Sequence, residues 1–214
     1  MVKLSRLVAF TLAILISGSA LAQQGNARGP IGDSPYNVVS LWADPFAEAG
    51  YAFGGNSGVL AESADRIIIA QRGETVLPYP LPDDFLGFAG HVGLNVLRDT
   101  TRRTWNNCLF VVNADGEPIE VWDHLDYLCE GSAGPGPHRI RISPYDDEKR
   151  IWLINETFHQ IYVIANDGSE VLATYGEKNL SGSDDTHFGS RKDVAFMEDG
   201  RHLLAEGLDS NRTL

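Results

Sequence analysis

The chain is short of three things. It has two cysteines in 214 residues, too few to build a zinc site from thiolates alone. It has 17 Lys and Arg against 29 Asp and Glu, a net charge of −12. Such a surface repels nucleic acid and anionic lipid, which sets both aside as partners. After the first 22 residues it has no apolar stretch able to span a bilayer, and no sustained helical period with caps anywhere. What remains is a series of short apolar runs separated by turn residues, the pattern of strands.

The N-terminus has the layout of a secretory signal peptide: Lys3 and Arg6, an apolar run from Leu7 to Ile16, then Ala20-Leu21-Ala22 before Gln23. A membrane anchor or a core helix is the competing reading, but the run is short for a span of about 20 residues. Residues 1–22 are therefore expected to be removed on export to a periplasmic or extracellular compartment. Residues 23–35 then form a flexible mature start, with no membrane partner left after cleavage. In an oxidising compartment Cys108 and Cys129 have two outcomes open, a disulfide or two buried thiols.

The most informative feature is repetition. Leu109-Phe110-Val111-Val112-Asn113-Ala114-Asp115-Gly116 and Ile161-Tyr162-Val163-Ile164-Ala165-Asn166-Asp167-Gly168 are both apolar runs into Asp-Gly, 52 residues apart. Each continues into a second run, Ile119 to Trp122 and Val171 to Tyr175. Asp-Gly between such runs marks a tight hairpin. Ile140-Arg141-Ile142 and Val194-Ala195-Phe196 repeat at an offset of 54, each followed by a turn and another apolar run. Val59-Leu60-Ala61 and Ile67-Ile68-Ile69-Ala70 form an earlier copy. Four short strands (a to d) recurring at about 50 residues predict β-propeller blades; an antiparallel sandwich is the competing architecture.

Blade 1 is expected over 56–122 with a Gly/Pro-rich insertion at 73–107, blade 2 over 137–176, and the start of blade 3 over 190–214. Tyr36 to Trp42 reads as a lone closing strand. That is about two and a half blades plus a closing strand within 36–214, so the chain is expected to be an N-terminal piece of a longer propeller. Strand alternation sends the long b–c and d–a connections to one face and the short a–b and c–d turns to the other. Five of the six histidines, all but His202, fall on or near the loop-rich face. Function is expected there, with Arg72, Glu74, His124, Asn155, Asp184 and Asp185 as ligand-facing residues. An unidentified small molecule, peptide or protein would be the partner.

Gly136-Pro137-His138, Ile151 to Asn155 before His159-Gln160-Ile161-Tyr162-Val163, Asn166-Asp167-Gly168, His187-Phe188-Gly189 and Asn211-Arg212 together carry a resemblance. The chain resembles NHL-repeat six-bladed β-propellers, particularly those like the peptidyl-α-hydroxyglycine α-amidating lyase, over about residues 56–73 and 108–214. The resemblance implies a catalytic zinc held by histidines from different blades, with an open position for substrate. His187 matches one ligand. Thr75, after Arg72-Gly73-Glu74, stands where another histidine is expected, and the third would lie beyond Leu214. His138 faces the channel mouth as a further ligand or as the partner of a carbonyl, and His91 in the insertion is a substitute for the ligand missing at Thr75. His159 and Arg212 are implied to be structural. The expectation is an exported binding scaffold, with a zinc-dependent lyase releasing glyoxylate as the alternative. A calcium-dependent lactonase is a third reading, and no paired-carboxylate motif favours it.

Overall fold

A computed structural model describes residues 39, 42–43, 46–47, 50–77, 83, 85, 102–182, 184 and 186–206, the side chain of Arg191 excepted. The leader, residues 23–35, most of the lone strand, His91, Asp185 and residues 207–214 lie outside the described residues. The chain divides into two units, 1–41 and 42–214; the second carries the sheets.

The described residues form an all-β, propeller-like arrangement of separate antiparallel sheets with no closed barrel. The strands are β1 Tyr51–Phe53, β2 Asn56–Ser63, β3 Arg66–Gln71, β4 Glu74–Val76, β5 Arg103–Thr104, β6 Leu109–Val112, β7 Pro118–Val121, β8 Pro137–Ile142, β9 Ile151–Asn155, β10 Gln160–Ile164, β11 Val171–Tyr175, β12 Arg191–Phe196 and β13 His202–Glu206. One sheet has the order β2-β3-β6-β7 and the next β8-β9-β10-β11, both four-stranded; β12-β13 begins a third. The strand order within each four-stranded sheet is that of the a-b-c-d units read from the sequence.

Burial explains why the strands read as they do. β6, β9 and β10 are buried at every position, and apart from Asn155 at the end of β9 and Gln160 at the start of β10 their sequences are apolar runs. The outer strand β7 alternates between half-buried and exposed, as a strand covered on one face does. Successive side chains of β9 point to opposite faces. Ile151 and Leu153 join a core with Ile68, Leu109, Val111 and Trp122 of the preceding sheet. Trp152 and Ile154 join a second core with Val194, Phe196 and Leu204 of the following one. Each of these two seams is thus an apolar core made by two neighbouring sheets.

The Asp-Gly hairpins hold their glycines at positive φ, 84° at Gly116, 74° at Gly168 and 85° at Gly200. At Gly168 a side chain is also excluded by space, because a Cβ would lie 2.3 Å from the Trp122 ring across the first seam. On the same short-turn face Glu62 gathers three partners. It accepts from Arg66 at 2.5 Å, from Lys149 Nζ at 3.0 Å and from Asn166 Nδ2 at 3.3 Å. Arg66 also donates to the Asn166 carbonyl at 2.8 Å, so one carboxylate ties the first two sheets together.

One expectation is corrected. The insertion at 73–107 was read as loop, yet β4 and β5 lie within it and pair with β1 in a three-stranded sheet, β1-β4-β5. Its strands are two or three residues long and include Glu74, Arg103 and Thr104, so they carry no apolar run for a sequence pattern to detect.

Candidate functional site

Strand b of each unit ends in a buried polar side chain on the loop-rich face: Gln71, Asn155 and Glu206. Each holds connecting backbone. Gln71 Nε2 donates to the Asn107 carbonyl at 2.8 Å, and Asn155 Nδ2 to the Leu128 carbonyl at 3.0 Å. Glu206 Oε1 accepts from Gly189 N at 3.0 Å. Asn155 Oδ1 also accepts from the amides of Thr157 and Phe158, both at 3.1 Å. Its amide group is therefore committed to the fold.

The next residue in each of the first two units points to the site. Arg72 follows β3 and Glu156 follows β9. Glu156 has a side chain only 7% exposed, and three basic groups surround it. Lys192 Nζ is in direct contact, Arg72 Nη2 lies 3.8 Å away and His138 Nε2 lies 3.9 Å away. His138 enters from β8 and Lys192 from β12, at equivalent positions of neighbouring inner strands. An open depression of about 380 Å³ has Glu156, Thr157, His159 and Lys192 among its walls, within the size range of small-molecule sites.

The electrostatics are one-sided. Burial pushes the Arg72 guanidinium below its usual range. Burial and then the charge of Arg72 do the same to Arg103, which donates to the Gly134 carbonyl at 3.2 Å and stacks over Trp105. Arg72 Nε is buried with no hydrogen-bond partner. Two cations, Arg72 and Lys192, thus stand against the one carboxylate of Glu156 in a chain of net charge −12. The His138 imidazole is pushed below its usual value, first by burial and then by Lys192, with Arg72 and Arg139 adding to the effect. His138 Nδ1 lies 3.1 Å from the Lys192 carbonyl. A carbonyl only accepts, so Nδ1 carries the proton and Nε2 keeps its lone pair.

The other expected site residues sit elsewhere. His187 occupies the d–a loop before β12, with Nδ1 2.8 Å from Asp184 Oδ2 and Nε2 3.6 Å from Glu177 Oε2. The Asp184 hydrogen bond, and the charges of Asp184 and Glu177, raise its pKa above the ordinary value. Asp184 is held well below the usual carboxylate range by His187 and by the amides of Thr186 and His187. His124 Nε2 bonds the Gly168 carbonyl at 2.8 Å, at the first seam. Glu74 and Thr75 are fully buried in β4. Glu74 accepts from Asn107 Nδ2 at 2.6 Å, and Thr75 Oγ1 has no partner. Cys108 and Cys129 are both buried free thiols, so the disulfide alternative is not formed in this structure. Among the described residues no three His, Cys, Asp or Glu side chains converge on one point. The described residues offer zinc one well-oriented nitrogen, at His138, and not a set of three.

No family model matches the chain. It is similar to a probable peptidyl-α-hydroxyglycine α-amidating lyase of Caenorhabditis elegans, 30% identical over 78 residues, which is 36% of this chain and 21% of that protein. The chain therefore spans about a fifth of that relative's length. A solved structure of a protein of unknown function from Bacteroides caccae aligns with a TM-score of 0.31 and 18% identity, covering 78% of this chain and 61% of that one.

Proposed function

We propose that this chain is an exported propeller scaffold whose loop-rich face binds an anionic group, a carboxylate of a small molecule or peptide, at Arg72, Lys192, Glu156 and His138. The supporting observation is the loose hold on Arg72. Its Nε is buried without a partner, and its nearest carboxylate oxygen is 3.8 Å away, beyond hydrogen-bond length. A ligand carboxylate would take its hydrogen bonds from the exposed part of that guanidinium, the 31% of the side chain that solvent reaches, with the charge assistance that makes arginine a strong donor. Calorimetric titration with N-acetylglycine and N-acetylglycine amide tests this. The carboxylate should bind and the amide should not, and Arg72→Gln should weaken binding about tenfold or more, the worth of a charge-assisted hydrogen bond. Equal binding of acid and amide would overturn the reading. Export is supported by the Lys3-to-Ala22 layout, and a mature N-terminus other than Gln23 would contradict it.

A second reading has its own support. The relative named as an amidating lyase, together with the free Nε2 lone pair of His138, favours a zinc-dependent lyase acting on peptidyl-α-hydroxyglycine. In that reading His138 supplies one nitrogen to the metal, Lys192's carbonyl orients the ring, and Arg72 holds the substrate carboxylate. Stoichiometric zinc, with glyoxylate released from a hydroxyglycine peptide, would establish the lyase over the scaffold. Failure of the protein to take up a divalent metal would remove the lyase.

A further inference from the structure

Two hydrogen-bond arms hold the charged site from beneath, and they meet at the cysteines. The first arm runs through Asn107. Its carbonyl accepts from Gln71, its side chain donates to Glu74, and these two residues flank Arg72-Gly73. Asn107 sits at φ 54°, in the left-handed region, and Cys108 follows it directly, its carbonyl accepting from Gln71 N at 2.9 Å. The second arm runs through Leu128, whose carbonyl holds Asn155, the residue before Glu156. Cys129 follows Leu128 directly. Between the arms lies the 3₁₀ segment Asp123–Leu128. Its Asp126 carboxylate accepts the amides of Asn107 and Cys108, both at 2.8 Å. Both cysteines are buried in the first seam core, and both are tied to Asp126, Cys108 N donating to its carboxylate at 2.8 Å and Cys129 N to its carbonyl at 2.9 Å.

We propose that Cys108 and Cys129 form a disulfide in the exported protein, and that this bond fixes the spacing of Arg72 and Glu156 by locking the two arms together. The second half of this rests on the carboxylate-binding reading above; the bond itself does not. The chemistry is thiol–disulfide exchange with a low-molecular-weight or protein disulfide. One cysteine thiolate attacks the oxidant and releases its first thiol. The second cysteine then attacks the mixed disulfide and releases the other. Two protein thiols become one S–S bond, and the oxidant's disulfide becomes two thiols. Both side chains are almost fully covered in the folded chain. Exchange therefore takes place during folding or on local opening, and the folded reduced protein is inert to thiol reagents. Its covered Cys108 thiol agrees, since the neighbouring Cys129 thiol and burial both push its pKa well up.

The experiment refolds the full chain with oxidised and reduced glutathione, then counts thiols in denaturant without reductant. No reactive thiol and a mass lower by two hydrogens are expected; two thiols after equilibration at an oxidising poise overturn the bond. Hydrogen exchange of oxidised and dithiothreitol-reduced protein reads the arms. Slower exchange at Asn107, Cys108, Thr157 and Phe158 in the oxidised form is expected, and equal rates overturn the locking. N-acetylglycine affinity is then compared between the two forms and should fall severalfold on reduction. A formed bond with unchanged affinity would overturn the coupling while leaving the bond, whereas absent binding in both forms would overturn the site reading instead. Cys108→Val/Cys129→Ala, which keeps the core apolar, should match the reduced form in exchange rates. Exchange rates matching the oxidised form would show that packing alone holds the arms.

Discussion

Replacing Glu156 with Gln is the sharpest test of the charged site. The substitution keeps the volume of the side chain and removes its charge, so no cavity is made and the effect is electrostatic. Losing one partner of a fully buried ion pair costs about 3–5 kcal/mol, whereas an exposed pair is worth about 0–1 kcal/mol. Here the carboxylate is 7% exposed, but Lys192 is 27% and Arg72 31% exposed, so the cations keep part of their hydration when it goes. The expected loss lies between those limits, about 2 kcal/mol, with Lys192, in direct contact with Glu156, as the group most penalised. In urea this is a midpoint shift of roughly 1 M at an unchanged slope of about 2 kcal/mol/M. The variant should also move His138. With the anion 3.9 Å away removed, Lys192 and Arg72 act unopposed, and the imidazole pKa should drop further below its usual value in an NMR titration. Lys192→Met should move it the other way, because a neighbouring cation is lost. A Glu156→Gln protein with wild-type midpoint and an unmoved His138 would refute the reasoning.

The wild-type pH dependence carries signs of its own. The folded-state pKa of His138 is depressed, so its stabilising contribution is present above the unfolded value of about 6.5 and is lost as pH falls through the folded pKa. His138→Gln should flatten that acid limb in urea midpoints measured against pH. His187 has the opposite sign. Its pKa is raised, so its contribution is complete below about 6.5 and disappears as pH rises through the folded pKa; Asp184→Asn should bring its NMR midpoint back down. Gly168→Ala places a Cβ against Trp122 at a positive φ and should cost at least about 2 kcal/mol, read by the Trp fluorescence transition. Trp152→Ala should cost about 3–5 kcal/mol and expose the seam to β12-β13, read as faster exchange at Val194 and Leu204.

β6, β9 and β10 were legible because burial on both faces demands apolar runs, and Asp-Gly marked the turns between c and d. Arg72 and His138 were legible as members of the loop-rich face. Glu156 and Lys192 were not, because a solitary charge after a strand reads as surface. The repeat register carried the missing signal. Lys192 lies 54 residues after His138, the same offset that relates Val194 to Ile140, and Glu156 follows strand b as Arg72 does. Asn155 Nδ2 and His124 Nε2 bond the carbonyls of Leu128 and Gly168, contacts that no pattern of residue types reveals. The small sheet in the insertion escaped because strands of two or three residues have no period to count.

Glu62 fastens one end of the seam between the first two sheets. Lys149 and Asn166 reach it from the second sheet at 3.0 and 3.3 Å, and Arg66 crosses to the Asn166 carbonyl at 2.8 Å, while at the opposite end Arg72 and Glu156 face each other at 3.8 Å beside the 3.0 Å bond from Asn155 to the Leu128 carbonyl. The two ends of this seam are therefore fastened by different chemistry, a shared carboxylate at one and an amide-to-carbonyl bond at the other.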